Sequence, residues 1–503
     1  MKKLWSILLA MMLLFATVGA YAEVSLEDDE SVHYSFTIMQ GKQFDVPASN
    51  PTLSFLEDKF NADFEFMLVS RGNNDYQNKC NMLIASNDIP DLIQINDYSI
   101  LTNMVELGLI IPLDELVQEY GQELLAIRPE ECWEPFIFDG KLYSLPNQYR
   151  NDGIIGCIRE DWLKKLNLEM PTTIEEFENV IRAFTEQDPD GNGANDTYGI
   201  SGTNAPVTST FLPAYQYYNV LPDQWLVKDG ALTFGSIQPE MLDALKLINK
   251  WFRAGYIDPQ FPLYSREKFE EVLGMGKFGF YGSTEVQRLD PAFDIGLAAL
   301  REREPESHFI SMDPVLSKDG VKRLWTNDYR SLGYTMAISA TCENPVRLMK
   351  LINYAASEEG YLRIRYGEEG VQYTVDETGT FHFTDEWADI NKRTQEGLSI
   401  QYSNIFRREW FDRCASVEVW DGVAKFDAYG EPISPIFVTT EADTEYNALL
   451  TTLRDESFTK MICCEDETAL DAMFAEFVED WLASGGEEVI RQKTEAWKAK
   501  QGA

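Results

Sequence analysis

Between Tyr34 and Ile95 the chain alternates strand and helix signals in a fixed order, and that order limits what the whole can become. Tyr34 to Gln40 reads as a strand; Leu53, Leu56 and Phe60 share a helical face; Phe64, Phe66 and Leu68 alternate as a second strand. Tyr76, Cys80, Leu83 and Ile84 mark a second helix. Asn87-Asp88-Ile89-Pro90 then leads into a third strand, Asp91-Leu92-Ile93-Gln94-Ile95. A strand-helix-strand-helix-strand run implies an α/β fold, with a mainly parallel sheet covered by helices. Such sheets take ligands beyond the carboxyl ends of their strands. Asn96, Asp97 and Tyr98 follow the third strand directly and are candidate ligand contacts.

Further on, a polar helical stretch near Leu113 to Leu125 precedes Phe138-Asp139-Gly140-Lys141-Leu142-Tyr143-Ser144-Leu145-Pro146, a turn and short strand. Gly153 to Ile158 reads as a strand and Asp161 to Leu166 opens a helix, so a lobe boundary is expected between Pro146 and Asp152. A helix follows from Pro239 to Ala254. Gly333 to Ser339 is a strand, and Asn344-Pro345 caps a helix with Leu348, Leu351, Ile352 and Ala355 on one face. The amphipathic stretches Ala469 to Trp481 and Glu488 to Lys500 end the chain. At 503 residues there is enough chain for two or more lobes, each with its own core.

The most specific short motif is Asp188-Pro189-Asp190-Gly191-Asn192-Gly193-Ala194-Asn195-Asp196. Counted from Asp188, side-chain oxygens fall at positions 1, 3, 5 and 9, Gly193 sits at 6, and Ala194 offers its carbonyl at 7. That order wraps a calcium ion, with the glycine supplying the sharp bend. Position 12, where an EF-hand places a bidentate Glu, is Gly199. The alternative is a surface turn that simply favours Asp, Asn and Gly. Before the loop, Thr172-Thr173-Ile174-Glu175 reads as a capping box, followed by Ile174, Phe177, Ile181 and Phe184 at helical spacing. After it, the β-branched and glycine-punctuated Thr197 to Gly202 reads as a turn instead of the exiting helix of a calcium sensor.

Lys2 and Lys3, an apolar run from Leu4 to about Val18, and Ala20-Tyr21-Ala22 have the layout of an export signal over 1-22, with Glu23 as the expected mature start. The run is shorter than the roughly 20 residues of a membrane span. No Cys follows it, so no lipid attachment is expected, and the mature chain is expected outside the cytoplasm, secreted or periplasmic. Removing Lys2 and Lys3 takes the net charge from −40 to −42 (−40 minus 2). Such a surface repels nucleic acid and anionic lipid and favours a neutral or cationic ligand. The seven cysteines are scattered, with no Cys-x-x-Cys metal pattern.

Several of these stretches occur together in one family. Asp88-Ile89-Pro90-Asp91, the Asp139 to Pro146 stretch, Ile158-Arg159-Glu160-Asp161-Trp162-Leu163, Pro171-Thr172-Thr173 running into Asp188 to Gly199, and Tyr366-Gly367-Glu368-Glu369-Gly370-Val371-Gln372-Tyr373 resemble extracellular solute-binding proteins of ABC importers. The pattern is similar to the sugar- and oligosaccharide-binding group that includes the alginate-binding proteins, from about Tyr34 to the C-terminus. The resemblance implies two α/β lobes of the type II periplasmic-binding-protein fold, joined by crossing segments, with a ligand cleft between them and a hinge. Residues 23-150 and 330-400 would form one lobe and 151-329 and 401-503 the other. It also implies a structural calcium on Asp188, Asp190, Asn192, the Ala194 carbonyl and Asp196. Thr197, where those relatives carry an acid, removes one ligand. A carbohydrate ligand, an ABC permease as membrane partner and a monomeric state complete the expectation, with no nucleic acid.

The competing class is a secreted carbohydrate-active enzyme using two carboxylates about 5 to 10 Å apart, which a chain with 83 acidic residues does not exclude. Its three histidines are widely spaced, and neither a Gly-x-Ser-x-Gly elbow nor a phosphate loop is found. Ser265-Arg266-Glu267-Lys268 matches Ser-x-x-Lys without its partner motifs, so a polar helix turn accounts for it. No catalytic residue is assigned. Sugar binding needs flat rings beside hydrogen-bonding groups. Trp325 with Tyr329 and Arg330, and Tyr149 with Arg150, combine both at the expected crossings and join Asn96, Asp97 and Tyr98 as candidates. Trp410 and Trp420 are weaker ones, and for any single ring core packing is the alternative.

Overall fold

The computed structural model describes residues 25–42, 46–70, 75–128, 130–146, 152–203, 207–291, 294–327, 335–377, 379–398, 416–434 and 440–501. The expected export signal, Tyr149, Arg150, Tyr329, Arg330 and Trp410 lie outside them.

The alternation at the start of the chain builds the first sheet. Tyr34–Gly41 pairs in parallel with Ala62–Val69 (Phe36 opposite Phe64) and with Leu92–Ile95 (Ile38 opposite Leu92). Thr335–Ile338 adds an antiparallel edge strand beside Leu92–Ile95. The helix Pro51–Phe60 starts where the Asn50 side chain accepts the Leu53 N–H, with Pro51 in its first turn, and buries Leu53, Leu56 and Phe60. Asp75–Ser86 buries Tyr76, Cys80 and Leu83. The stretch after Leu113 is two short helices, Asp114–Tyr120 and Gln122–Ile127, separated at Gly121. Pro345–Ala356 returns to this layer under the Asn344 cap, as its sequence predicts. These residues form one continuous core drawn from 36–145 and 336–364.

A second core runs through 154–325 and 419–489. Its sheet has the order Phe309–Met312, Ile155–Arg159, Phe278–Ser283, Tyr198–Ile200, the first two pairings antiparallel and the last parallel. Tyr198–Ile200 is therefore a strand, not the turn its glycines suggest. The calcium-loop helix Ile174–Glu186 is capped one residue later than expected: Thr173 Oγ1 accepts the Glu176 N–H while Glu176 reaches back to the Thr173 N–H. Two adjacent Thr and two adjacent Glu make both registers readable in the sequence, and burial of Ile174 and Phe177 selects the second.

A three-stranded sheet, Gly430–Pro432 beside Leu324–Asn327 beside Asp152–Gly153, lies where the chain leaves one core for the other. Gly153 is required there, because a Cβ at this position would stand 2.1 Å from the Trp325 carbonyl oxygen. Among the described residues no helix is long and apolar enough to cross a membrane.

Candidate functional site

The C-terminal end of the first lobe's third strand faces the second lobe across a cleft of about 280 Å³. Asp97 contributes from the first lobe. Trp225, Phe234, Asp443, Asn447, Arg454, Trp481 and Lys493 contribute from the second. Asp97 caps the helix Tyr98–Glu106: its Oδ1 accepts the Ser99 N–H at 2.8 Å, the Ser99 hydroxyl at 2.5 Å and the Ile100 N–H at 3.4 Å. Among the described residues nothing donates to Oδ2. A carboxylate held rigid by one oxygen and open at the other is suited to accept from a ligand hydroxyl.

The opposite wall is aromatic. Trp225–Lys228 and Ala231–Phe234 form a hairpin about Asp229-Gly230, both with positive φ (52° and 74°). This turn places Trp225 opposite Phe234, ring centroids 5.1 Å apart, and Phe234 stacks on Trp481 at 5.3 Å and 11°. Trp481 is fully buried behind them, while Trp225 is half-buried and presents its ring. Helix Leu470–Trp481 turns sharply into Glu487–Gln501 through Gly485 (φ 113°) and Gly486, whose Cβ would lie 2.2 Å from the Trp481 ring. The glycine pair thus lets Lys493 come back over Trp225, 5.2 Å from its ring centroid.

The charges of this wall are paired within the protein. Lys493 Nζ donates to Asp443 Oδ2 at 2.8 Å, the same carboxylate that completes the capping box with Thr440. Arg454, only 4% exposed, pairs with Asp223 and with Asp455, and these carboxylates outweigh the effect of burial and hold the guanidinium protonated. The cleft therefore offers an aromatic face, acceptors and neutralised cations, a surface matched to polyhydroxylated ligands.

Of the residues singled out by sequence, Asp97 lines this cleft. Asn96 adjoins it with its Oδ1 buried and lacking a donor among the described residues. Tyr98 is half-buried and turned to its own lobe: its hydroxyl donates to the Pro135 carbonyl at 2.9 Å and its ring tilts on Phe138 at 5.8 Å. Trp325 is fully buried in the second core, as the middle strand of the three-stranded sheet demands, and does not reach the cleft. Trp420 is 39% exposed on the helix Val417–Tyr429, away from the cleft lining. Ser265 is a helix cap whose Oγ accepts the Lys268 N–H at 3.2 Å, which accounts for the Ser-x-x-Lys match. Trp225 and Phe234 went unread, although Asp-Gly between two apolar runs signals their hairpin.

At the loop, Asp188 takes a positive φ (46°), and its carboxylate accepts the Asn192 and Gly193 N–H groups, both at 3.0 Å. The Asn192 amide donates to Asp190 Oδ2 at 2.8 Å and Asp196 Oδ1 at 3.0 Å. Lys277 Nζ bridges Asp196 Oδ2 at 2.6 Å and Asp190 Oδ2 at 3.3 Å. Three carboxylates and one amide oxygen in this order have the chemistry a hard cation takes, and an ammonium already sits against two of them. Among the described residues no three acidic, His or Cys side chains are gathered as metal ligands.

Three comparisons bear on these features. The polygalacturonan/rhamnogalacturonan-binding protein YtcQ of Bacillus subtilis is 24% identical over 439 residues, covering 84% of this chain and 83% of YtcQ. The alginate-binding protein AlgQ2, in a structure without calcium ion, superposes with a TM-score of 0.70 at 19% identity, over 92% of this chain and 98% of that one. The Streptococcus pneumoniae ABC-transporter substrate-binding protein FusA in complex with kestose gives a TM-score of 0.69 at 18% identity, over 93% and 99%, and an EF-hand mutant of FusA in complex with fructo-nystose matches equally well. These likenesses show a two-lobed solute-binding fold. Residues 54–361 match the family described as bacterial extracellular solute-binding protein, and the chain belongs to that family.

Proposed function

We propose that the protein is exported by its N-terminal signal, captures an oligosaccharide between its lobes, and delivers it to an ABC permease. The observation that carries this reading is the cleft itself: Asp97, at the strand end of one lobe, faces Trp225 and Phe234 on the other, with Lys493 and Arg454 already paired to carboxylates. Rings stack on sugar faces while fixed carboxylates take hydroxyl hydrogen bonds. The carbohydrate ligands named for YtcQ, AlgQ2 and FusA support the same class, and membership of a binding-protein family favours capture over hydrolysis. Asn96, Tyr149, Arg150, Tyr329 and Arg330 belong to the same proposal as further contacts at the strand end and at the crossings. The neutralised cations favour a neutral glycan. The protein acts as a monomer, with residues 23–150 and 330–400 as one lobe and 151–329 and 401–503 as the other.

The loop from Asp188 to Asp196 is the place for a structural calcium ion, held by Asp188, Asp190, Asn192, the Ala194 carbonyl and Asp196. It lies at the end of helix Ile174–Glu186, where the ion would tie that helix to the strand Tyr198–Ile200.

The test is a melting series of the mature protein against a library of oligosaccharides, followed by calorimetric titration of those that raise Tm. A ligand stabilises the state it binds, so a true ligand at about 100 times its Kd adds about 2.7 kcal/mol. A rise confined to a few related oligosaccharides is expected. An unchanged Tm across neutral and acidic sugars, or release of reducing ends by the purified protein, would overturn the reading.

A further inference from the structure

We propose that Lys277 is a built-in counter-cation of the Asp188–Asp196 loop, keeping it folded when calcium is scarce and competing with calcium for the same oxygens. The inference rests on the calcium reading given above and concerns how tightly, and against what, the ion is held.

The backbone delivers Lys277 to this place. Helix Arg266–Met275 ends on Gly276 in the left-handed region (φ 63°), and Lys277 then leads into the strand Phe278–Ser283. Its carbonyl accepts the Tyr198 N–H at 2.8 Å, so its main chain is fastened two residues beyond Asp196. From there the ammonium reaches Oδ2 of both Asp190 and Asp196. A second ammonium, that of Lys165, donates to the Pro189 carbonyl at 2.6 Å and lies 2.6 Å from where a Cβ on Gly191 would be. Gly191 itself takes a positive φ of 72°, the conformation that favours glycine there.

Charge then sets the competition. Asp188, Asp190 and Asp196 carry three formal negative charges, and Lys165 and Lys277 return two, leaving −1 to attract a divalent ion. Calcium requires six to eight oxygens at about 2.3–2.6 Å, and this loop offers no acid at position 12 or at Thr197. Lys277 holds one oxygen of each of two carboxylates that would ligate the ion, Asp190 and Asp196, so calcium and the ammonium would compete for the same acids. Lys277 is 35% exposed and Asp196 45%, so their pair is a modest one that a divalent ion can displace. The loop is thereby a weak, replaceable calcium site instead of a permanent one.

The experiment compares the mature wild-type protein with Lys277→Met and Lys277→Gln, using calcium chloride in chelator-treated buffer as the probe, by calorimetry and by melting with and without EDTA. The wild type is expected to melt at nearly the same temperature in EDTA and to bind calcium weakly. Either variant is expected to bind calcium at least about tenfold more tightly and to lose Tm in EDTA, recovering it on calcium addition; adding Asp190→Asn to the variant abolishes the gain. Equal calcium affinity and equal EDTA sensitivity in wild type and both variants would overturn the role of Lys277 and leave the calcium site standing. Absence of calcium binding from all three proteins would overturn the calcium site itself, and the competition with it.

Discussion

Lys493 donates to Asp443 at 2.8 Å across two helices of the second lobe, so the charged floor of the cleft is neutralised before a ligand arrives. A ligand that gained affinity from this floor through charge would have to break that pair. Affinity for a neutral oligosaccharide is therefore expected to stay constant between about 0.05 and 0.5 M salt, since an uncharged ligand makes no ion pair for salt to screen. A uronate oligomer of the same length is expected to bind at least about tenfold more weakly. Paired titrations at the two salt concentrations measure both; uronate binding that weakens steeply with salt would contradict the neutral assignment.

The start of the first lobe is fastened by Asp28, which takes the Arg347 guanidinium at 2.7 Å, Lys350 Nζ at 2.9 Å and the Asn344 amide at 2.8 Å. Burial opposes ionisation of Asp28, but these three donors outweigh it and lower its pKa to about 2. A lowered carboxylate pKa stabilises the fold above the unfolded value near 3.9, and that stability is lost as pH falls through about 2. Asp28→Asn is expected to cost about 2 kcal/mol at pH 7 and progressively less from about pH 4 downward. Denaturant unfolding of both proteins from pH 7 to pH 3 checks the sign: a difference that grows on acidification would be contrary to it.

The three-stranded sheet between the cores depends on Gly153. Gly153→Ala would drive a methyl into the Trp325 carbonyl and part the strands Asp152–Gly153 and Leu324–Asn327. A loss of about 1–3 kcal/mol is expected, together with weaker ligand binding, because Asp152–Gly153 lies where the chain passes from one core to the other. Melting and titration of the variant test both effects.

The first sheet was legible because its signals are local. Leu53, Leu56 and Phe60 repeat at helical spacing, and Leu92, Ile93 and Ile95 are apolar about a single Gln94 in a strand buried on both faces. Asp97 follows from the same logic, since a residue just past a parallel strand stands at the ligand edge. The opposite wall is assembled from Trp225, Asp443, Trp481 and Lys493, which only the tertiary fold brings together across more than 250 residues of chain. Trp325 shows the converse error. Its neighbours Thr326 and Asn327 have the mixture a sugar site needs, yet strand pairing on both sides turns its ring into the core. Lys277 carries no motif at all, and its place beside Asp196 follows from the pairing of two strands about eighty residues apart.

Trp225 and Trp481 belong to one aromatic stack but differ in burial, and their alanine variants separate binding from folding. Trp481→Ala empties a fully buried site and is expected to cost about 3–5 kcal/mol of stability. Trp225→Ala removes the half-buried ring that faces the cleft. The most direct measurement of the central claim is calorimetric titration of Trp225→Ala with the oligosaccharide that stabilises the wild type. The account predicts a loss of about tenfold to a hundredfold in affinity with Tm nearly unchanged. Wild-type affinity in a folded Trp225→Ala protein would contradict it and move the sugar site away from this cleft.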